Sequence, residues 1–201
     1  MNLNDESYYD EVIQHLIIFL IAGQDTTGSL IEMCLYYLAE LPQYQTSILD
    51  SLSKEPNVHT NKTLNNFIQE VLRLNGPLPS TLMRVVVEPF SIDGFEFKKG
   101  DILRQWFGAN MTNVKYFDNP LKFDPDRWNK PLEYPHSFMP FSSGPRNCIG
   151  QHMSLMEVRV AVVSILRKYR LERTALEVQM HLSAFLNLPK HHGLVEFHLR
   201  T

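Results

Sequence analysis

Apolar residues recur at helical spacing from near the start of the chain. Over residues 9–41, Val12, Ile13, Leu16, Ile17 and Leu20 mark one side, and Leu30, Ile31, Cys34, Leu35 and Leu38 resume it. This spacing predicts one long helix, stopped by Pro42. The apolar run at 16–22, flanked by Gln14-His15 and Gly23-Gln24-Asp25, reads as a buried helix segment. The middle of the helix is weak. Gly23, Asp25, Thr26, Thr27, Gly28 and Ser29 are poorer helix formers than alanine, and short polar side chains compete for backbone bonds, as if the helix made room for something.

A short helix over 43–53 and an exposed polar connection over 54–63 follow. The next helix, 65–75, turns Phe67, Ile68, Val71, Leu72 and Leu74 to one side and ends at Gly76-Pro77. Short strands are predicted over 81–87, 90–92, 95–97 and 102–107, forming a small sheet beside a helical body. Residues 110–144 carry Pro, Asn, Asp and aromatic side chains without a period, and a loop of that length needs anchors. A helix over 149–170 places Met153, Met156, Val160, Val163 and Leu166 near helical spacing, and stretches at 182–188 and 194–199 are compatible with strands. Neither repeat nor linker interrupts this order. The chain reads as one mainly α domain with small β-sheets, of the α+β class, over residues 1–201.

Composition narrows the function. The 201 residues are 44% hydrophobic and 20% charged with a formal net charge of -3, a globular balance that argues against a nucleic-acid partner. No stretch reaches the roughly 20 apolar positions that cross a bilayer, and Met1 precedes acidic and polar residues rather than a signal core. Two cysteines, Cys34 and Cys148, are too few for a disulfide scaffold or a four-cysteine metal site. Any special cysteine acts alone. The histidines are scattered, and His191-His192 lacks the spacing of a zinc enzyme.

Cys148 has the most unusual setting. It follows a rigid turn, Phe141-Ser142-Ser143-Gly144-Pro145-Arg146-Asn147, and precedes a predicted helix. The positive helix end, free N–H groups and the Arg146 charge favour a persistent thiolate, suited to a metal ligand or a nucleophile rather than an inert core thiol. The spacing Phe141, Gly144, Arg146, Cys148, Gly150 resembles the haem-binding signature of the cytochrome P-450 family. That resemblance implies haem b as cofactor with Cys148 as its proximal iron ligand, Arg146 on a propionate and Phe141 beside the thiolate. Thiolate ligation favours O–O cleavage.

Three further motifs follow the family's order. Glu70 and Arg73, three residues apart, share a helical face, where a surface pair of little worth is the plain alternative. With Arg127 of Pro125-Asp126-Arg127-Trp128 they resemble a buried family cluster that holds the cysteine loop. Ala22-Gly23-Gln24-Asp25-Thr26-Thr27 resembles the oxygen-activation segment, in which Gly23 permits a local opening and Asp25 and Thr26 arrange water and deliver protons; merely tolerated hydroxyls are the alternative. Arg84 resembles a second propionate-binding arginine, against a simple surface role. Ala22, Leu82, Met83, Phe185 and Leu186 resemble residues bordering the substrate cavity, against ordinary core positions.

The resemblance aligns this sequence with the C-terminal part of the longer family fold: central helix, Glu-Arg helix, meander, cysteine loop and proximal helix. The family's N-terminal sheet, early helices, cavity roof and any membrane anchor are expected to lie outside it. The interval from Thr26 to Glu70 is short for the family, and Met111-Thr112-Asn113 stands where a histidine or arginine is frequent. The implied function is a haem-thiolate monooxygenase acting on an apolar small molecule with dioxygen and electrons from an NADPH-dependent reductase or a ferredoxin. It would be intracellular, at the endoplasmic reticulum membrane if a longer parent carries an anchor. The alternatives are a haem-binding fragment without turnover and a plain soluble domain with an ordinary Cys148.

Overall fold

The computed structural model describes residues 6–176, 179–183, 186–189 and 195–200. Phe185 and the His191-His192 pair lie outside the described residues. The chain clusters into two compact units, one from the described residues of 1–65, 149–178 and 191–201, the other from those of 66–148 and 179–190.

The first unit is built on α1 (Glu6–Glu40), α2 (Gln43–Lys54), α5 (Gln151–Lys168) and the antiparallel strands β5 (Tyr169–Arg173) and β8 (Val195–Leu199). Leu30, Met33, Cys34 and Leu38 of α1 are buried, as are Ile48 and Leu52 of α2, Val158, Val162, Val163 and Leu166 of α5, and Leu171 of β5. From Tyr8 onward, burial on α1 begins at Thr27. The run at 16–22 is not a buried segment: Leu16, Ile17, Ile18, Phe19, Leu20 and Ile21 are all more than half exposed, at 52% to 66%. The elements packed on α1 lie against its second half, and six consecutive apolar residues point all round the helix, so no single neighbour would cover them. Tyr8–Glu40 is also long and apolar enough, by length and composition, to cross a membrane, a test that core helices of globular proteins pass as well.

Other departures from the sequence reading have local causes. The connection before α3 (Lys62–Asn75) is not wholly exposed. Asn61 is fully buried and caps α3, accepting from the Leu64 N–H at 3.0 Å while its amide donates to Ser51 Oγ and the Glu55 carbonyl at 2.8 and 3.1 Å. The last helix is shorter than 149–170, because Tyr169 leaves helical geometry to begin β5 against β8. Its buried side holds Val163 and Leu166 as expected, yet Met153, Met156 and Val160 are exposed, and Val158 and Val162 take their place.

The second unit carries the rest of α3, the short strands β1 (Arg84–Val85), β2 (Phe90–Ile92), β3 (Phe95–Phe97) and β4 (Ile102–Leu103), the single turn α4 (Gly108–Met111), and β6 (Met180–Ser183) with β7 (Leu186–Pro189). The strands do not join into one small sheet. The described residues form separate antiparallel pairs, β1 with β4, β2 with β3, and β6 with β7. Of the predicted strand 81–87 only residues 84–85 form a strand, with the Thr81 and Val86 N–H groups still donating to the Gln105 and Asp101 carbonyls, and the tail stretch 182–188 overlaps both β6 and β7. Asp93 and Gly94, at φ of 49° and 82°, make the tight β2–β3 turn.

Candidate functional site

The loop that ends at Cys148 is held by its own backbone. Ser142 and Gly144 sit at φ of 62° and 77°, the region where a side chain is costly and glycine is not. They reverse the chain into a 3₁₀ turn over Gly144–Arg146, and the Cys148 N–H donates to the Phe141 carbonyl at 2.9 Å, closing the loop. Cys148 is a free, exposed thiol at the end of that closure, and Arg146 is exposed beside it in sequence. A depression of about 310 Å³ brings Arg146 together with Arg84, and Thr81, Gln105, Ser142 and Ser143 share its lining. The Arg84 guanidinium donates to the Leu82 and Met83 carbonyls at 3.4 and 3.2 Å, which braces it in the strand that carries it. Two guanidinium groups on one depression, and an accessible thiol two residues after Arg146 in the chain, form a donor set that fits an iron tetrapyrrole bearing carboxylates.

The two thiols differ sharply. Cys34 is fully buried in the α1 core, and burial pushes its thiol pKa up because the thiolate would lose its hydration. A thiol reagent at mildly alkaline pH is therefore expected to modify only Cys148 in the folded chain, reaching Cys34 after denaturant is added. Equal rates at both would mean that the core around α1 is open.

Glu70 accepts five hydrogen bonds. Its carboxylate is fully buried and accepts from Arg73 Nη2 at 2.8 Å, Arg73 Nε at 3.0 Å, Arg127 Nε at 3.0 Å, the Asp124 N–H at 2.9 Å and Trp128 Nε1 at 3.0 Å. Arg73 in turn donates to the carbonyls of Met111 and Pro120 at 2.7 and 2.6 Å, and Arg127 to that of Asp118 at 3.2 Å. Phe117 lies under both guanidinium groups, 5.1 and 6.0 Å from its ring centre. The aperiodic segment 110–144 thus finds its anchors. Trp128 extends the cluster toward the cysteine loop, its ring 4.4 Å from that of Phe138, three residues before Phe141. The sequence pointed to Glu70, Arg73 and Arg127 but not to Trp128 as a donor; its indole N–H needs a partner when half buried, which was the available signal.

In the first unit α1 passes through its weak stretch without the local opening expected at Gly23. The helix is unbroken from Glu6 to Glu40, and the Thr26 hydroxyl donates to the Ala22 carbonyl at 2.7 Å, using the backbone group of the preceding turn without displacing the helix. Open space surrounds the position of a Cβ at Gly23. Ala22 and Asp25 are exposed, and Thr26 is half-buried. Gly150 precedes the first turn of α5 and accepts from the Ser154 N–H at 2.9 Å. In the second unit Leu82 and Met83 are exposed and Leu186 is half-buried, so none of these three is an ordinary core residue. Among the described residues no group of three or more His, Cys, Asp or Glu side chains is arranged to hold a metal ion.

Comparison with known proteins identifies the family. The profile of the cytochrome P450 family matches residues 2–195. The chain is 34% identical over 174 residues to cytochrome P450 3A31 of Mesocricetus auratus, covering 81% of this chain and 34% of that protein. It is 29% identical over 215 residues to cytochrome P450 3A15 of Cavia porcellus, covering 94% and 42%, and 32% identical over 182 residues to cytochrome P450 4d2 of Drosophila melanogaster, covering 84% and 35%. It thus spans roughly two fifths or less of the length of these relatives. With the family profile matched over residues 2–195, nearly its whole length, this chain belongs to the cytochrome P450 family.

Proposed function

We propose that this chain carries the haem-thiolate half of a monooxygenase. The observation that supports this best is the Cys148 loop: an exposed thiol fixed by the Cys148 to Phe141 backbone bond, with Arg84 and Arg146 on one depression. Haem, when bound, supplies the oxygen chemistry, and thiolate ligation favours O–O cleavage. Cys148 holds the iron, Arg84 and Arg146 hold the carboxylates, and Phe141 and Gly150 flank the thiolate. Glu70, Arg73 and Arg127 keep the segment before the loop in place. Asp25 and the Thr26 hydroxyl hold water and move protons. Ala22, Leu82, Met83, Phe185 and Leu186 border an apolar substrate, which gains one oxygen atom while the other leaves as water. Two protons and two electrons are consumed, the electrons supplied by an NADPH-dependent reductase or a ferredoxin.

The bare apolar run on α1 supports a second reading, a chain that binds haem without turning over substrate. The test is the difference spectrum of the purified, haem-supplemented chain, reduced with and without carbon monoxide. The long-wavelength Soret band of a thiolate-ligated complex is expected in the wild type and is lost in Cys148→Ser. A chain without that band does not assemble the site. A chain with the band that consumes no electrons when reductase and substrate are added follows the second reading.

A further inference from the structure

Thr26 and Thr27 are neighbours with different tasks. Successive helical residues point about 100° apart, so the two hydroxyls face different surroundings: that of Thr26 turns back to the Ala22 carbonyl, while that of Thr27 donates across to Ser154 Oγ at 3.0 Å. Thr27 is only 6% exposed and is the first buried residue of α1 from Tyr8 onward. Ser154 lies in the first turn of α5, its N–H bonded to the Gly150 carbonyl two residues after Cys148 in sequence.

We propose that Thr27 and Ser154 are a pair of positioning residues that set the roll of α1 at the turn carrying Asp25 and Thr26. The buried apolar residues of α1 and α5, such as Leu30, Met33, Val158 and Val162, lie further along both helices. Apolar packing is non-directional and tolerates small rotations, whereas a hydrogen bond weakens steeply as its angle departs from linear. The Thr27–Ser154 bond is a directional contact at the boundary between the buried and bare halves of the helix. One turn of slack there would be carried directly to Asp25 and Thr26, which precede it on the uncovered side.

This inference rests on the haem-thiolate reading and is tested in the haem-loaded chain by the infrared stretch of carbon monoxide on reduced iron. That stretch reports the polar groups facing the ligand. Thr26→Ala, which removes the hydroxyl that the haem-thiolate reading assigns to proton delivery, provides the reference shift. Thr27→Val and Ser154→Ala are each expected to shift and broaden the band, the double variant no more than either single one. Thr27→Ser, which keeps the hydroxyl, restores the wild-type band. In the same proteins amide exchange over residues 25–28 quickens roughly fivefold in Thr27→Val, the loss expected for one ordinary hydrogen bond. A purely structural role would lower the melting temperature and leave the band in place, and that result overturns the proposal. A wild type without the thiolate Soret band overturns the haem reading and this inference together. A wild type with the Soret band but with a stretch indifferent to Thr26→Ala overturns this inference alone.

Discussion

Glu70→Gln is expected to lower the stability of the chain by about 3–5 kcal/mol, the cost of leaving a buried charge without its partner. Total stabilities of domains lie at about 5–15 kcal/mol, so the variant sits near or past its folding limit. The side chains of Glu70 and Arg73 are both fully shielded from solvent, and Arg127 is 11% exposed. An amide in place of the carboxylate keeps the volume but turns an NH₂ group toward donors. Whichever way it is oriented, it meets either Arg127 Nε, Arg73 Nη2 and the Asp124 N–H, or Arg73 Nε and Trp128 Nε1. Urea midpoints of Glu70→Gln, Arg73→Leu and Arg127→Leu should fall furthest for the first two and least for the third. A Glu70→Gln midpoint within the range of a surface pair, about 0–1 kcal/mol, would mean that the cluster is not closed in solution.

The second large effect is expected at a residue with no chemical role. Gln45 of α2 is 3% exposed, and its amide donates to the carbonyls of Leu38 and Leu171 at 2.8 Å each. Its carbonyl oxygen accepts from the Leu171 N–H at 3.0 Å and from Arg200 Nη2 at 3.3 Å. One side chain thereby satisfies both backbone groups of a buried strand residue and joins the end of α1 to β5. Gln45→Leu keeps the bulk and strips all four bonds. Leaving a buried backbone group unpaired costs about 1–3 kcal/mol, and three are left here, so a loss of at least about 3 kcal/mol is expected in thermal or urea unfolding. Gln45→Glu, which still accepts from Leu171 but cannot donate to the two carbonyls, falls between. The amide of Leu171 should lose its exchange protection in Gln45→Leu; if it keeps it, another group caps this strand edge.

What the sequence discloses here depends on whether chemistry is contiguous. The Cys148 turn is legible because a glycine, a proline, an arginine and a cysteine stand within five residues, and the turn's geometry needs little beyond those residues. Glu70 and Arg73 are legible as a pair because helix geometry brings them together. Their burial is not, since it is made by Phe117, Asp124, Arg127 and Trp128 from a segment without periodicity. Gln45 escapes for the same reason, its partners being as far as 126 and 155 residues away along the chain. The strand at Tyr169–Arg173 was hidden by the helix before it, because only pairing with β8 distinguishes the two. The bare face at 16–21 misled in the opposite direction. Hydrophobicity states that a surface favours cover, and nothing in local sequence states that the cover is present.

The cap of α3 has a consequence for modification. Asn61-Lys62-Thr63 spells the acceptor pattern for N-linked glycans. Yet the amide nitrogen that would carry the sugar is turned inward, bonded to Ser51 and to the Glu55 carbonyl. An oligosaccharyltransferase can reach it only before the helix forms, and the sugar would then occupy the space in which the cap closes. In a secretory host, a glycan at this asparagine would therefore mark chains that had failed to fold.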